Sequence, residues 1–76
     1  MEKEITLSNG LVVTVKEVKY NDFAKKISED KDNTAKILFL MATDISEEDY
    51  NQLSIKDGYK LQKIINEING LDENFL

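Results

Sequence analysis

Near the N-terminus, apolar and polar residues alternate on both sides of an Asn-Gly pair. Alternation with a period of two is typical of a half-buried β-strand, and Asn-Gly is a strong signal for a hairpin turn. The pattern therefore predicts two antiparallel strands, over residues 4–8 and 11–16, joined by a tight turn.

The same apolar positions determine the register of this hairpin. A two-residue loop would divide the apolar side chains between the two faces of the sheet. A three-residue loop, with Gly10 in the left-handed conformation of a bulge, places all of them on one face. We favour the three-residue loop, which makes these cross-strand pairs: Leu7 with Leu11, Ile5 with Val13, and Glu2 with Lys16.

Beyond the hairpin, the apolar spacing becomes that of helices. Asn21 or Asp22 can cap a first helix over residues 21–29, and Asn33 can cap a second over residues 34–43. The short apolar run in the second segment also fits a buried strand. Its alanine, leucine and methionine residues favour the helix.

Two further helix starts, at Ser46 and Ser54, lie within nine residues of each other. Each serine is followed three positions later by an aspartate, which resembles a capping box. They predict a short helix over residues 47–53 and a longer helix over residues 55–69. Gly70 is a suitable left-handed residue to end the last helix.

The second helix has more apolar residues than one buried face can use. On a helical wheel, Phe39 and Leu40 fall outside the main apolar face. Either other elements wrap around this helix, or part of the excess contacts a partner. The main face consists of Thr34, Ile37, Leu38, Met41 and Ala42.

The last helix has a cleaner division between its two faces. Ile55 and Tyr59 lie away from its apolar stripe, which consists of Leu61, Ile64, Ile65 and Ile68. Together with the preceding segments, this predicts an α+β fold in which an N-terminal β-hairpin packs on three or four short helices. With 76 residues, the chain is expected to form a single small domain, residues 1–76.

Composition excludes several classes of function. The chain contains no cysteine and no histidine, which removes disulfides, thiolate chemistry, the usual zinc ligands and the commonest general acid or base. The remaining carboxylates, lysines and tyrosines show no catalytic spacing. We therefore predict a protein that is not an enzyme and that needs neither a cofactor nor a metal.

Charge and hydropathy narrow the choice of partners. All ten basic residues are lysine, against fifteen acidic residues, and the net charge is −5. Arginine, which reads guanine and phosphate with two hydrogen bonds, is absent, so nucleic acid is an unfavourable partner. No apolar run approaches the roughly 18 residues of a membrane span, and the opening MEKEI is not followed by a secretory core. We expect no membrane contact and a cytoplasmic protein.

One feature favours a different function. The two closely joined C-terminal helices resemble the geometry of a helix-turn-helix, and Lys56, Lys60 and Lys63 lie on one face of the second. The acidic total and the Asp57 carboxylate favour a solvated face instead. A small DNA-binding regulator and a generic adaptor protein are kept as alternative functions.

Five segments of the chain, in this order, resemble the small tail assembly chaperones of tailed bacteriophages and prophages. They are LSNGLVVTVKEV, NDF, ILFLMA, DISEEDYNQL and SIKDGYKLQKIIN, and the resemblance covers about residues 7–69. The chain departs from this family at Gly58, where an apolar residue is expected.

The resemblance implies a binding function. Proteins of this family bind the tape measure protein, cover its aggregation-prone helical stretches, and help the tail tube protein polymerise around it. The implied location is the cytoplasm of the bacterial host cell, and the protein is then absent from the mature virion. Self-association is left open.

A chaperone that holds a helix needs exposed apolar side chains beside a groove. The residues left off the buried faces are the candidates for this contact: Phe39, Leu40, Ile55 and Tyr59. The competing interpretation is that Phe39 belongs to the core and is covered by the hairpin.

Overall fold

The computed structural model describes residues 1–72, which contain a two-stranded antiparallel sheet followed by four α-helices. The elements are β1 (Glu2–Thr6), β2 (Val12–Lys16), α1 (Tyr20–Glu29), α2 (Thr34–Ala42), α3 (Glu47–Asn51) and α4 (Ile55–Ile68). A 3₁₀ turn, Lys31–Asn33, precedes α2. The predicted α+β architecture is confirmed.

The predicted register of the hairpin is also confirmed. Glu2 pairs with Lys16 and Ile5 with Val13, and the Leu7 N–H donates to the Leu11 carbonyl over 2.8 Å. Gly10 has a φ of +86° in the turn. Strand β1 starts earlier than expected and ends at Thr6, so the assigned strands are 2–6 and 12–16.

The outer edge of β2 is covered by polar groups from distant parts of the chain. Thr14 donates its N–H to Asp44 Oδ1 over 3.0 Å and accepts from the Asp44 N–H over 3.3 Å. Further along, the Val18 N–H donates to Asn69 Oδ1 over 2.7 Å. These contacts satisfy backbone groups that a two-stranded sheet would otherwise leave open on this edge.

The hydrophobic core lies between the apolar face of the hairpin and the helices. Val15, Leu61 and Ile65 are fully buried, and the other buried apolar side chains surround them. These others are Ile5, Leu7, Val13, Leu38, Phe39, Ala42 and Ile45. As the periodicity of α4 predicts, Ile64 and Ile68 pack at the margin of this core.

The two predicted serine caps are present. Ser46 Oγ accepts from the Asp49 N–H and Ser54 Oγ accepts from the Asp57 N–H, each over 3.1 Å. Such caps satisfy backbone donors that a helix start leaves unpaired, and each contributes about 1 kcal/mol. They start α3 and α4 in quick succession. Gly70, with a φ of +67°, follows the end of α4 as expected.

The predicted caps of the first two helices were wrong. Helix α1 begins at Tyr20, after Lys19, and neither Asn21 nor Asp22 occupies its N-cap position. Asn33 does stand at the N-cap of α2, but its side chain donates to Asp30 Oδ2 over 2.7 Å instead of capping. At Asn33 a nearby side-chain partner thus competes with the local cap.

Of the two alternatives for the apolar excess of α2, the one in which other elements wrap around the helix holds for Phe39. Phe39 is only 4% exposed, and its ring packs against Tyr50 of α3. Helix α3 itself is shorter than predicted and ends at Asn51, where two 3₁₀-type hydrogen bonds lead into α4.

Candidate partner-binding groove

An open groove of about 460 Å³ runs between α4 on one side and α2 and α3 on the other. We call it the α3–α4 groove. Its first wall is the face of α4 that carries Ile55, Gly58, Tyr59 and Gln62. These positions are spaced by three or four residues, so they form one stripe along the helix surface.

The wall formed by α4 holds two large exposed apolar side chains. Ile55 is 80% exposed and Tyr59 is 69% exposed. They are separated by one turn of the helix and therefore stand next to each other. Single exposed apolar residues are common on proteins, but a pair beside a groove is typical of a contact surface.

The floor of the groove is part of the core. The Phe39 ring meets the Tyr50 ring edge to face, with 5.3 Å between the centroids and an interplanar angle of 71°. Leu53 packs at the margin of the core beside them. Edge-to-face packing stabilises the two rings in this arrangement, and the groove is present in the chain without a partner.

The opposite wall is built from smaller and polar residues. Ala35 of α2 and Asn51 of α3 line it. On α3, Glu47 and Glu48 lie one turn before Asn51 on the same side of the helix and are exposed. Glu47 also forms an ion pair with Lys36.

The rim formed by α4 has the opposite charge. Lys56 and Lys63 lie one turn before and one turn after Tyr59, and both are exposed. Neither forms an ion pair within residues 1–72. Lys60, in contrast, donates to the Thr6 carbonyl over 3.2 Å, on the side of α4 that faces the hairpin. The groove therefore has a basic rim on α4 and an acidic rim on α3.

Asp57 holds α4 in position on the side of the helix that faces the hairpin, and it is only 5% exposed. Its Oδ1 accepts from the Ser8 N–H over 3.2 Å and its Oδ2 accepts from the Ser8 hydroxyl over 2.6 Å. The hydrogen bond from the Ser8 hydroxyl, opposed by burial, lowers the pKa of Asp57 below its ordinary value. The carboxylate therefore stays charged at neutral pH and holds α4 to the hairpin turn.

The structure brings three of the four predicted contact residues together. Ile55 and Tyr59 stand on the wall of the α3–α4 groove, and Phe39 lies in its floor as a buried residue. Leu40 is half-buried and lies in a different depression, beside Met41 and the segment after β2. The structure therefore does not bring Leu40 to the groove.

Sequence reasoning missed three features of the groove. Tyr50 was assigned only to a short capped helix, and Ala35 only to the interior of the second helix. Gly58 was noted only as a departure from a family pattern. Spacing could have found two of them, since Ala35 lies four residues before Phe39 and Gly58 lies three residues after Ile55 on the same helix. Tyr50 has no such partner on α3.

The described part of the chain has no group of three or more Asp or Glu side chains placed to hold a metal ion. No helix within residues 1–72 is long and apolar enough to cross a membrane. The chemistry that this site offers is apolar contact flanked by charges of both signs. Comparison with family models, with curated proteins and with solved structures found no match.

Proposed function

We propose that this protein is a tail assembly chaperone of a tailed bacteriophage or prophage, which binds the tape measure protein and assists tail tube assembly without catalysing a reaction. The observation that carries this proposal is the α3–α4 groove, where Ile55 and Tyr59 are exposed beside a preformed aromatic floor. An apolar groove of this kind fits one face of a partner helix.

Two further features support the proposal. The net charge of −5 favours solubility, which a protein needs while it holds an aggregation-prone partner. The five segments between residues 7 and 69 that resemble tail assembly chaperones include the α4 wall of the groove, together with Asn51 on the opposite wall. In this proposal the protein acts in the cytoplasm of the bacterial host, with the tail tube protein as a further partner, and leaves before the virion is mature.

Co-expression tests this function directly. The chain is produced together with the tape measure protein, which is identified as the very long, coiled-coil-like reading frame encoded next to it. The proposal predicts that the two proteins co-purify and that the soluble fraction of the tape measure protein rises. If the tape measure protein aggregates to the same extent with and without the chain, and does not co-purify with it, the proposal fails.

A DNA-binding regulator is the competing function, favoured by the exposed Lys56 and Lys63 on the second of two closely joined helices. The acidic residues of α3 oppose it, because Glu47, Glu48 and Asp49 would face the phosphate backbone together with α4. Retention on duplex DNA at low salt distinguishes the regulator from the chaperone.

A further inference from the structure

The backbone conformation does not explain why a glycine occupies position 58, in the interior of α4. Its φ is not positive, and a Cβ built at this position meets nothing within 4 Å. Glycine inside a helix is less stable than alanine by roughly 1 kcal/mol, so this position costs stability in the isolated chain. What glycine does provide here is a bare stretch of helix surface on the wall of the groove.

The opposite wall also carries a small residue, Ala35, which has only a methyl side chain. Small residues on facing surfaces let a second backbone approach closely. The groove thus carries a small residue on each wall, Gly58 on α4 and Ala35 on α2, with Ile55 and Tyr59 on α4 next to Gly58. This shape fits a partner helix that presents small side chains to the groove.

The charges on the two rims define the chemistry of that helix. Lys56 and Lys63 on the α4 rim attract acidic side chains, whereas Glu48 on the α3 rim attracts basic ones and repels acidic ones. Glu47 does so more weakly, because Lys36 already pairs with it. A helix with acidic residues along one flank and basic residues along the other is complementary to both rims at once. A helix whose two flanks carry the same charge is attracted by one rim and repelled by the other.

We infer that the α3–α4 groove binds an amphipathic helix of a partner protein. A small residue of that helix lies against Gly58. The helix carries acidic residues along the flank that faces Lys56 and Lys63, and basic residues along the flank that faces Glu47 and Glu48. The inference rests on the proposed function only for the identity of the natural helix. The helix itself is defined by the shape and charge of the groove.

The size of the groove sets the strength of the contact. Between Ile55 and Gln62 it follows α4 for about 10 Å, or two helical turns. Ten residues line it, against roughly 20 to 30 on each side of a standard stable interface. One contact is therefore weak, with a dissociation constant of about 1 μM or higher. A long helical partner can compensate by offering many such sites to many copies of the chain.

Three synthetic helical peptides test the inference. Each has about 20 residues, so that the helix is stable enough to compare, and each carries the same leucine and alanine stripe. Their flanks differ: glutamate on one and lysine on the other, glutamate on both, or lysine on both. Fluorescence anisotropy with the full chain is expected to show that the mixed peptide binds at least about threefold more tightly than either of the others.

Two variants locate the binding site. Gly58→Leu places a large side chain on the bare stretch of the α4 wall and is expected to weaken binding of the mixed peptide by about tenfold or more, while the melting temperature stays the same or rises. In the double variant Lys56→Glu/Lys63→Glu both rims are acidic, so the preference should shift to the all-lysine peptide. The matched control is Lys25→Glu/Lys26→Glu on α1, which changes the net charge equally and should leave the preference unchanged.

Equal binding of all three peptides, or no binding of any of them at millimolar concentration, overturns the inference. So does a Gly58→Leu variant that binds as well as the wild type. If the chain self-associates through the groove and Gly58→Leu abolishes this, while no peptide binds, the occupant is a second copy and the inference is wrong. If the peptides behave as expected but the tape measure protein does not bind, only the proposed function fails.

Discussion

The Asp57 carboxylate accepts two hydrogen bonds from Ser8, which lies 49 positions earlier in the chain. One comes from the Ser8 backbone N–H at the hairpin turn and the other from its hydroxyl. Since Asp57 also stands in the first turn of α4, this pair ties the turn of the hairpin to the start of the helix that forms one wall of the groove.

The first prediction concerns this pair. Ser8→Ala and Asp57→Ala should each lower the melting temperature, because each leaves a partly buried polar group without its partner. The double variant should be less destabilised than the sum of the two single variants, since each single variant loses the hydrogen bond from the Ser8 hydroxyl and the double variant loses it only once. Additive effects in thermal unfolding would show that the two residues are not coupled.

The second prediction concerns pH. The Ser8 hydroxyl lowers the pKa of Asp57 from its ordinary value of 3.8, so the folded state favours the charged carboxylate. The stabilisation is therefore present in full above that ordinary value and is lost as the pH falls through the lower folded pKa. Melting temperatures of the wild type and Asp57→Asn, compared from about pH 7 to about pH 2, should differ most at neutral pH and converge in acid. A difference that is independent of pH contradicts this account.

The third prediction contrasts two glycines. Gly10 has a φ of +86°, which a β-branched residue adopts only with strain, so Gly10→Val should lower the free energy of unfolding by about 1 kcal/mol or more. Gly58 has ordinary helical geometry and open space around it, so Gly58→Ala should raise it by up to about 1 kcal/mol. Urea denaturation measures both. If both substitutions change the free energy of unfolding in the same direction, one of the two assigned backbone conformations is wrong.

The fourth prediction addresses nucleic acid. The triple variant of Lys56, Lys60 and Lys63 to glutamine should fold almost as well as the wild type, because exposed charges contribute little to stability. Neither protein should be retained on duplex DNA at low salt. An affinity for DNA that depends on salt and disappears in the triple variant would favour the regulator over the chaperone.

Much of the fold is predictable because it depends on local patterns. The hairpin register follows from the alternation of apolar and polar residues and from Gly10. The starts of α3 and α4 follow from Ser46 and Ser54. The bond between Ser8 and Asp57 is not predictable in this way. The local pattern assigns Asp57 to its own helix cap, and nothing in the sequence specifies which distant donor its carboxylate meets.

The groove is predictable only in part, for a related reason. Ile55 and Tyr59 were identified because helical periodicity alone places them off the buried stripe of α4. The burial of Phe39 stayed open between core and partner contact because it depends on where α3 packs, and a helical wheel for one helix contains no information about its neighbours. The same limit explains Leu40, which lies off the main face of α2 but on a different side of the protein from the groove.

The central claim is that the α3–α4 groove binds the tape measure protein, and calorimetric titration with a soluble helical fragment of that protein tests it most directly. Tyr59→Ala removes an exposed aromatic residue of the groove, and Tyr20→Ala removes one from α1, where Tyr20 is 84% exposed. Both variants should melt close to the wild-type temperature. The account predicts that Tyr59→Ala weakens binding by about tenfold or more while Tyr20→Ala binds as the wild type does. A wild-type chain that does not bind the fragment, or a Tyr59→Ala variant that binds it equally well, would contradict the account.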